Sequence, residues 1–287
     1  MSKIAIFGSR SQPDALAQIS DIFRVLNENG LRVFVYEKFA EYLEENGADM
    51  HEAVPVAHIP PEVSLVMSFG GDGTFLRATR WIGSREIPVL GVNTGHLGFL
   101  ASCSLPDVKD MLKAVCAGDI KIEKRMLLEV ASDSLPPDKW KYALNEIAFM
   151  RYGSSMLNVN ASVNGSFLAD YRGDGLIAAT PTGSTAYSLS AGGPIIEPTF
   201  DCICLCPVAP HTLNIRPLVA GGDSEIKLAP ESRSKNFILT IDDQSMVLPA
   251  EGVFHIRKAP FSAIVIRKKN EAFPDILRKK LLWSAAP

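Results

Sequence analysis

In the stretch VMSFGGDGTFLRATRW, residues 66–81, one carboxylate, Asp72, stands among Gly70, Gly71 and Gly73 at the end of an apolar run. Glycine lets a backbone approach a ligand closely and take positive φ. Asp72 is therefore poorly shielded, and the amides beside it are accessible. Thr74 to Trp81 continues with helical spacing, so the amides at its start can face an anion. A carboxylate beside a phosphate site can orient a hydroxyl and take its proton as that hydroxyl attacks phosphorus. The same residues are also ordinary turn chemistry, and from this stretch alone both readings stand.

Two further stretches carry polar groups in unusual places. Asn145-Glu146 interrupts the β-like run KYALNEIAFM. The pair offers an amide donor, an amide acceptor and a carboxylate, a set that matches a ribose diol or another hydroxylated group. Exposed polar tips at a strand end would look the same. Residues 174–195, DGLIAATPTGSTAYSLSAGGPI, bring Thr180, Thr182, Ser184, Thr185, Tyr187, Ser188 and Ser190 together with Gly183, Gly192 and Gly193. Such dense hydroxyls suit a phosphate-bearing or sugar-bearing ligand, and Tyr187 offers a ring to stack on a base. The plain alternative is a loop and helix start in which Ser and Thr cap. The G-x-x-x-x-G-K-[ST] loop, the H-R-D and D-F-G kinase signatures, and a G-x-G-x-x-G after the first strand are all missing.

These residues need elements to position them. Lys3–Phe7, Leu31–Tyr36, Val63–Phe69 and Ile87–Val92 read as strands. Between them, Asp14–Asn29 is a helix stopped by Gly30, Phe39–Glu45 is a short helix, and another starts at Thr74. Alternation of this kind implies a parallel sheet with helices on both faces. Ligands in such sheets bind beyond the carboxyl ends of strands, where Gly70–Gly73 and Asn93-Thr94-Gly95-His96 both lie. The texture changes near Ser102. Pro106–Ala117 is an amphipathic helix, and strands dominate afterwards: 122–131, 142–150, 157–163, 166–171, 175–179, 202–208, 225–228, 237–241 and 253–258. Asn164-Gly165 is a strong hairpin signal, and Asp242-Asp243-Gln244 marks a second tight turn. Asp275–Trp283 closes as a short basic-apolar helix.

Composition narrows the class. The chain has 287 residues, 47% hydrophobic and 21% charged, with a formal net charge of -3. That allows one large or two modest domains and lacks the basic footprint of a nucleic-acid binder. The first residues lack a signal-peptide core, and no apolar run is long enough to span a bilayer. A soluble cytoplasmic protein is expected, with no membrane or nucleic-acid partner. Of the five cysteines, Cys202, Cys204 and Cys206 alternate onto one strand face. They lack the C-x-x-C or Cys/His spacing of a zinc site and read as soft filler of a sheet face. No protein metal ligands are assigned.

Taken together, Gly70-Gly71-Asp72-Gly73-Thr74, Asn93-Thr94-Gly95-His96-Leu97-Gly98-Phe99, Asn145-Glu146 and Thr180–Ile195 resemble the motifs of the NAD kinase family, in order and spacing. The first motif alone also resembles diacylglycerol kinases, sphingosine kinases and, distantly, phosphofructokinases; the others point to NAD. The resemblance implies an α/β N-terminal domain with a parallel sheet, residues 1–101. It also implies a β-rich, sandwich-like NAD-binding domain, residues 102–267, with a tail, 268–287, that returns to the first. The family transfers the γ-phosphoryl of ATP, or of another donor in some members, to the adenosine 2′-hydroxyl of NAD. A divalent metal ion, magnesium, is implied with the donor.

By the same resemblance Asp72 is the general base and Gly73 a backbone contact. Asn145 and Glu146 hold adenosine-side groups. Thr185, Ala186, Tyr187, Ser188, Leu189 and Ser190 meet the adenine and nearby ribose. Asp174, with Arg172, meets the nicotinamide end, in some members from a neighbouring subunit, so a homodimer or homotetramer is implied. Arg77, Ser155, Ala209 and Gln244 are lesser contacts. His211, in PVAPHTLNIRPLV, is either a ligand contact or a packed loop residue. A lipid kinase of the diacylglycerol class and a non-catalytic NAD or NADP sensor are the competing readings. Asp72 argues against the sensor.

Overall fold

The computed structural model describes residues 3–10, 12–95, 98–101 and 103–283. His96, Leu97 and Ser102, all part of the sequence reading, lie outside them. The chain forms two compact units, Met1–Lys124 with Ala263–Pro287, and Arg125–Ser262.

The first unit alternates strand and helix. Its order is β1 (Lys3–Gly8), α1 (Leu16–Glu28), β2 (Arg32–Tyr36), α2 (Glu37–Glu45), β3 (Val54–Val56), β4 (Leu65–Phe69), α3 (Asp72–Ile82), β5 (Val89–Asn93), β6 (Cys103–Ser104) and α4 (Val108–Ala117). The strands pair in parallel in the order β3-β2-β1-β4-β5. Both faces are covered, so β1, β4 and β5 read as continuous apolar runs and are buried throughout but for the half-buried Lys3. The core joins Ile19, Ile22, Phe23 and Leu26 of α1 to Ile4, Ile6, Val33, Val35 and Met67 of the strands. Gly30 takes φ 68° after α1, which is why the helix ends there. The strand–helix alternation continues past residue 102 through β6 and α4, and the chain returns to this unit at Ala263. The compact unit runs on to Lys124 because Val108, Met111 and Leu112 of α4 are buried in this same core.

The chain then continues through β7 (Ile120–Ala131), β8 (Tyr142–Ala143), β9 (Glu146–Arg151), β10 (Leu157–Val163), β11 (Ser166–Gly173) and β12 (Gly175–Ala179). After them come α5 (Tyr187–Ser190), β13 (Cys202–Val208), β14 (Leu218–Gly221), β15 (Ile226–Ser232), β16 (Asn236–Ile241), β17 (Gln244–Pro249), β18 (Phe254–Lys268) and α6 (Phe273–Leu281). In the second unit β11-β10-β15-β18 form one antiparallel sheet and β14-β13-β12-β9-β16-β17 another. Their inner faces share one core, from Leu157, Val159 and Leu228 to Ile147, Leu176 and Leu239. Phe149, Phe237 and Phe254 sit at its centre, stacked or edge-on at 5.3–5.4 Å. This is the β-rich sandwich expected. Asn164 and Gly165 take φ 51° and 80°, as a tight β10–β11 turn requires. Cys204 and Cys206 are buried on the outer face of β13 with Ala148, Ile177, Ala179 and Ile196. Among the described residues no group of three or more His, Cys, Asp or Glu could hold a metal.

The strand 142–150 expected from sequence is interrupted. Leu144 and Asn145 form no ladder, and β9 starts at Glu146.

Candidate active site

In the first unit the site begins where β4 ends. Gly70 takes φ 147°, and a Cβ there would lie 2.4 Å from Thr74 Oγ1. The chain then turns through Gly71 into α3, which buries Thr74, Phe75, Ala78, Thr79 and Ile82. That stripe follows helical periodicity, and burying Phe75 contributes about 2–3 kcal/mol. The opposite face carries Gly73, Arg77, Arg80 and Trp81. Asp72 sits in the first turn, where a negative charge suits the helix dipole. The space where side chains at Gly71 and Gly73 would go is open, so a ligand can reach their backbone.

Asp72 does more than face solvent. Its Oδ2 accepts the Phe99 amide at 2.8 Å, and its Oδ1 accepts the Leu100 and Ala101 amides, each at 3.0 Å. A Cβ on Gly98 would lie 1.8 Å from Oδ1. Only glycine lets the loop close on the carboxylate. Arg267 holds the loop from another side, donating through Nη2 to Phe99 O at 2.6 Å, and the Lys280 ammonium of α6 lies over the Phe99 ring. A carboxylate has about four acceptor positions. Among the described residues three are taken, and one on Oδ2 remains. Asn93 shapes the start of the same loop, its Oδ1 accepting the Gly95 amide at 2.7 Å. Arg77 donates to Thr74 Oγ1 at 3.2 Å.

In the second unit the site is built around a different acid. Asp242, at the β16–β17 turn with φ 51°, accepts the amides of Leu144, Asn145 and Glu146 at 2.8, 2.8 and 3.1 Å. Its own amide returns to Glu146 O. These bonds replace the missing ladder and pin Asn145-Glu146. On the other side Thr180 Oγ1 donates to Leu144 O at 2.5 Å, and the Thr180 amide donates to Asn145 O at 2.8 Å. Gly183 packs so tightly that a Cβ would lie 2.1 Å from Asn145 O.

The Glu146 carboxyl is buried, and its Oε2 has no hydrogen-bond partner among the described residues. Loss of hydration, then repulsion by Asp242, push it up to about 8, with the Tyr187 amide pulling the other way. Asp242 is itself raised, to about 6, by loss of hydration against the pull of its three amides. Of the two, Glu146 is held further above its ordinary range, which favours its protonated form. Glu146 can then donate as well as accept, as a sugar hydroxyl requires.

Two more residues of the sequence reading show the same signature. Among the described residues Gln244 Nε2 is buried without a partner, and Ser188 Oγ is buried with only the Cys204 and Cys206 thiols beside it. A buried polar atom left unsatisfied costs about 1–3 kcal/mol. Three such atoms fall on Glu146, Ser188 and Gln244, and others on Gln12, Ser68 and Asn158. Tyr187 is 40% exposed, so its ring is available to stack. Other hydroxyls are engaged locally. Ser184 Oγ donates to Pro181 O at 2.7 Å and accepts the Ile196 amide at 2.9 Å, and Thr185 Oγ1 donates to Thr182 O at 3.2 Å. Both hydroxyls therefore also cap their own loop.

The remaining candidates sit on other strands and loops of the second unit or flank α5. Asp174 is paired with Arg151 at 2.7 Å and follows β11, on which Arg172 is exposed. Ala209 takes φ 43°, and its carbonyl would lie 2.7 Å from a Cβ on Gly173. The exposed His211 donates its amide to Arg172 O. Ser155 is half-buried in the loop before β10. Ala186 and Leu189 flank Tyr187 and Ser188 in and beside α5. Sequence reasoning missed Asp242 as the anchor of Asn145-Glu146. The D-D-Q turn was visible, but nothing in its spacing points to residues nearly a hundred positions earlier.

Comparison with known proteins places this geometry. A family model for the ATP-NAD kinase N-terminal domain matches residues 4–120, and one for the ATP-NAD kinase C-terminal domain matches residues 144–268. The chain belongs to the NAD kinase family. NAD kinases of Porphyromonas gingivalis and Bacteroides fragilis are 43% and 41% identical to it, over 100% and 99% of this chain and 99% and 98% of their own. Among solved structures, an NAD kinase from Archaeoglobus fulgidus in complex with ATP matches with TM-score 0.73 and 26% identity, over 96% of this chain and 98% of its own. Yeast NADH kinase complexed with NADH shares the fold, with TM-score 0.87 and 24% identity over 100% of this chain and 89% of that one. The NAD kinase motifs fall on both units, and the diacylglycerol-kinase reading is not favoured.

Proposed function

We propose that the chain is an NAD kinase that makes NADP from NAD and ATP. Asp72, through the open position on Oδ2, takes the proton of the adenosine 2′-hydroxyl. That oxygen bonds to the γ-phosphorus, the bond from phosphorus to the bridging oxygen breaks, and ADP leaves. General-base assistance of this kind contributes about 10²–10⁴ in rate. Asn145, protonated Glu146 and Gln244 hold hydroxyl and amide groups of NAD, with Thr185 to Ser190 beside the adenine end and Arg172, Asp174, Ser155, Ala209, Gly73 and Arg77 as further contacts. The observation that carries this reading is the set of buried, partnerless polar atoms on residues the family resemblance assigns to NAD.

ATP as donor is supported by the Archaeoglobus relative, which was crystallised with it. The described residues offer no all-protein cation cage. Magnesium commonly needs only one or two carboxylates plus substrate phosphates, so it enters as part of the metal–nucleotide substrate. No helix of the described residues is long and apolar enough to cross a membrane. A cytoplasmic homodimer or homotetramer is our reading of the family resemblance, and analytical ultracentrifugation of the full chain decides the oligomer. The function is tested by incubating purified protein with NAD, ATP and magnesium and reading NADP with an NADP-specific dehydrogenase. Robust NADP formation is expected. No NADP, with phosphorylation of diacylglycerol in mixed micelles instead, would overturn the reading.

A further inference from the structure

Arg267 is only 2% exposed, although a guanidinium cannot shed its charge in a protein. It lies near the end of β18, two residues beyond Val265, which pairs with Val89 of β5. Two carboxylates compensate it, Glu123 from β7 and the half-buried Glu271 from the turn before α6. Its Nε lies 3.6 Å from Glu123 Oε2 and its Nη1 4.0 Å from Glu271 Oε2. Both are ion-pair distances, too long for hydrogen bonds. Among the described residues its one hydrogen bond goes elsewhere, from Nη2 to the Phe99 carbonyl at 2.6 Å. A guanidinium serving only as counter-ion would lay its forked donors on the carboxylates. Here the short contact is with backbone.

That backbone belongs to the loop that holds Asp72. The Phe99 carbonyl and the Leu100 amide form one peptide unit, and the Leu100 amide donates to Asp72 Oδ1 at 3.0 Å. A trans peptide is planar, and its C=O and N–H point in opposite directions. Arg267 and Asp72 therefore hold the two ends of a single rigid plate. Rotating the plate would break both bonds and turn a carbonyl oxygen toward the carboxylate. A cation on the carbonyl opposes that rotation. It also polarises the peptide, so that the N–H donates more strongly. The next part of the loop is held by packing instead: a Cβ on Gly91 of β5 would lie 2.8 Å from Ala101 Cα and 3.0 Å from Leu100 O. At Phe99 the fixing is done by charge, through Arg267 on the carbonyl and Lys280 over the ring.

We propose that Arg267 is a positioning residue for Asp72: by gripping the Phe99 carbonyl it keeps the Leu100 N–H on the carboxylate, and so keeps the base aimed at the hydroxyl of NAD. The proposal rests on the NAD kinase reading and adds to it a residue that acts through the base. Glu123 and Glu271 make the burial of the cation tolerable, at distances that leave its shortest bond to the loop.

The test uses two substitutions in the full-length protein. Arg267→Lys keeps a positive charge beside Glu123 and Glu271 but ends short of the Phe99 carbonyl and lacks the planar fork. Arg267→Met removes charge and bond together. Each is made in the wild type and in Asp72→Asn, a thermal melt verifies folding, and kcat and KM are measured for NAD and ATP. In the wild-type background both should lower kcat by about 10- to 100-fold, the range that a small displacement of a reacting group produces. Each KM should stay within about twofold. In the Asp72→Asn background neither should lower kcat further by more than about twofold, because the effect passes through the carboxylate. A merely loosened fold would depress both backgrounds alike and raise KM. Wild-type kcat in Arg267→Lys, or an equal fall in the two backgrounds, overturns the proposal. Should Arg267→Met not fold, Arg267→Lys decides. An active wild type with unaffected variants sinks the positioning role alone, whereas a wild type that makes no NADP sinks the NAD kinase reading with it.

Discussion

Asp72 and Glu146 are both carboxyl groups at breaks in apolar strands, and the protein treats them in opposite ways. Asp72 is held by three backbone amides from one loop, Gly98 leaves no side chain in its path, and among the described residues one acceptor position stays open. Glu146 is stripped of water, placed near a second acid and left with a partnerless oxygen. The first arrangement aims a carboxylate and keeps it still, as proton removal at a fixed distance requires. The second keeps a carboxylic acid neutral, so that it can donate and accept toward hydroxyls. Backbone amides do the anchoring in both units. In the second they anchor Asp242, and Asp242 in turn sets Glu146.

The sharpest way to break the comparison is to remove the charge at the aimed acid. Asp72→Asn should lower kcat by about 10²–10⁴, with NAD affinity changed little. It also turns one acceptor oxygen into an amide donor facing backbone N–H groups, costing about 1–3 kcal/mol of stability. Steady-state kinetics with a denaturation curve measures both. Wild-type turnover in the variant would remove Asp72 from proton transfer and leave it only a loop anchor.

A smaller effect tests the neutral acid. Folded Glu146 holds its proton up to about pH 8, whereas the ordinary value is 4.5. Between those limits the folded state binds more protons than the unfolded one, so this group makes stability fall as pH rises. Below pH 4.5 it has no such effect, and above about 8 the penalty is complete. The slope from one group is at most about 1.4 kcal/mol per pH unit. Asp242, raised from 3.8 to about 6, adds a slope of the same sign at lower pH. Glu146→Gln imitates the protonated acid. Its stability should lack the decline between pH 6 and 8 that the wild type shows, and its NAD KM at pH 7 should stay within a few-fold of wild type. The wild-type NAD KM should rise above pH 8, where the donor proton is lost, and the variant's should not. Chemical denaturation and NAD kinetics across pH 5.5 to 9 read both. Parallel curves for the two proteins would show Glu146 to be ionised throughout.

How much of this could be read in the chain depends on range. Period-two and helical patterns are local, so β9 to β13 and α1 to α4 were legible within a few residues. Short or interrupted strands were not. Val54–Val56 is an exposed strand of three residues containing Pro55, and Pro260 hides the continuation of β18 from 258 to 268. Leu218–Gly221 and Gln244–Pro249 carry no clear strand signal of their own, although Asp242-Asp243-Gln244 reads as a turn before the second. At the site, residue types and glycines drew the eye to Asp72, Asn145, Glu146 and 174–195. The contacts that give these residues their character are long-range: Phe99 to Ala101 on Asp72, Asp242 on Asn145-Glu146, and Arg267 on the Phe99 carbonyl. No local pattern encodes them. Hydroxyl density alone does not reveal that Ser184 and Thr185 also satisfy their own loop.

Substitution separates the two kinds of glycine around Asp72. At Gly98 a methyl group would meet Oδ1 at 1.8 Å, so Gly98→Ala must move the loop or rotate the acid. Its turnover should approach that of Asp72→Asn. At Gly71 nothing lies within 4 Å, and the backbone is extended with φ -83°, which alanine adopts without strain. Losing glycine at the helix N-cap costs about as much as the reduced entropy of the unfolded chain returns, so the melting curve should shift by less than about 1 kcal/mol. The methyl group would instead occupy the space through which a phosphate reaches the helix-start amides. Blocking one such hydrogen bond to a charged group, about 1.5 kcal/mol, should weaken ATP or NAD by about tenfold. Unaltered KM values for both substrates in Gly71→Ala would mean that the open side of the turn faces water during turnover, and that the aimed acid alone carries the chemistry there.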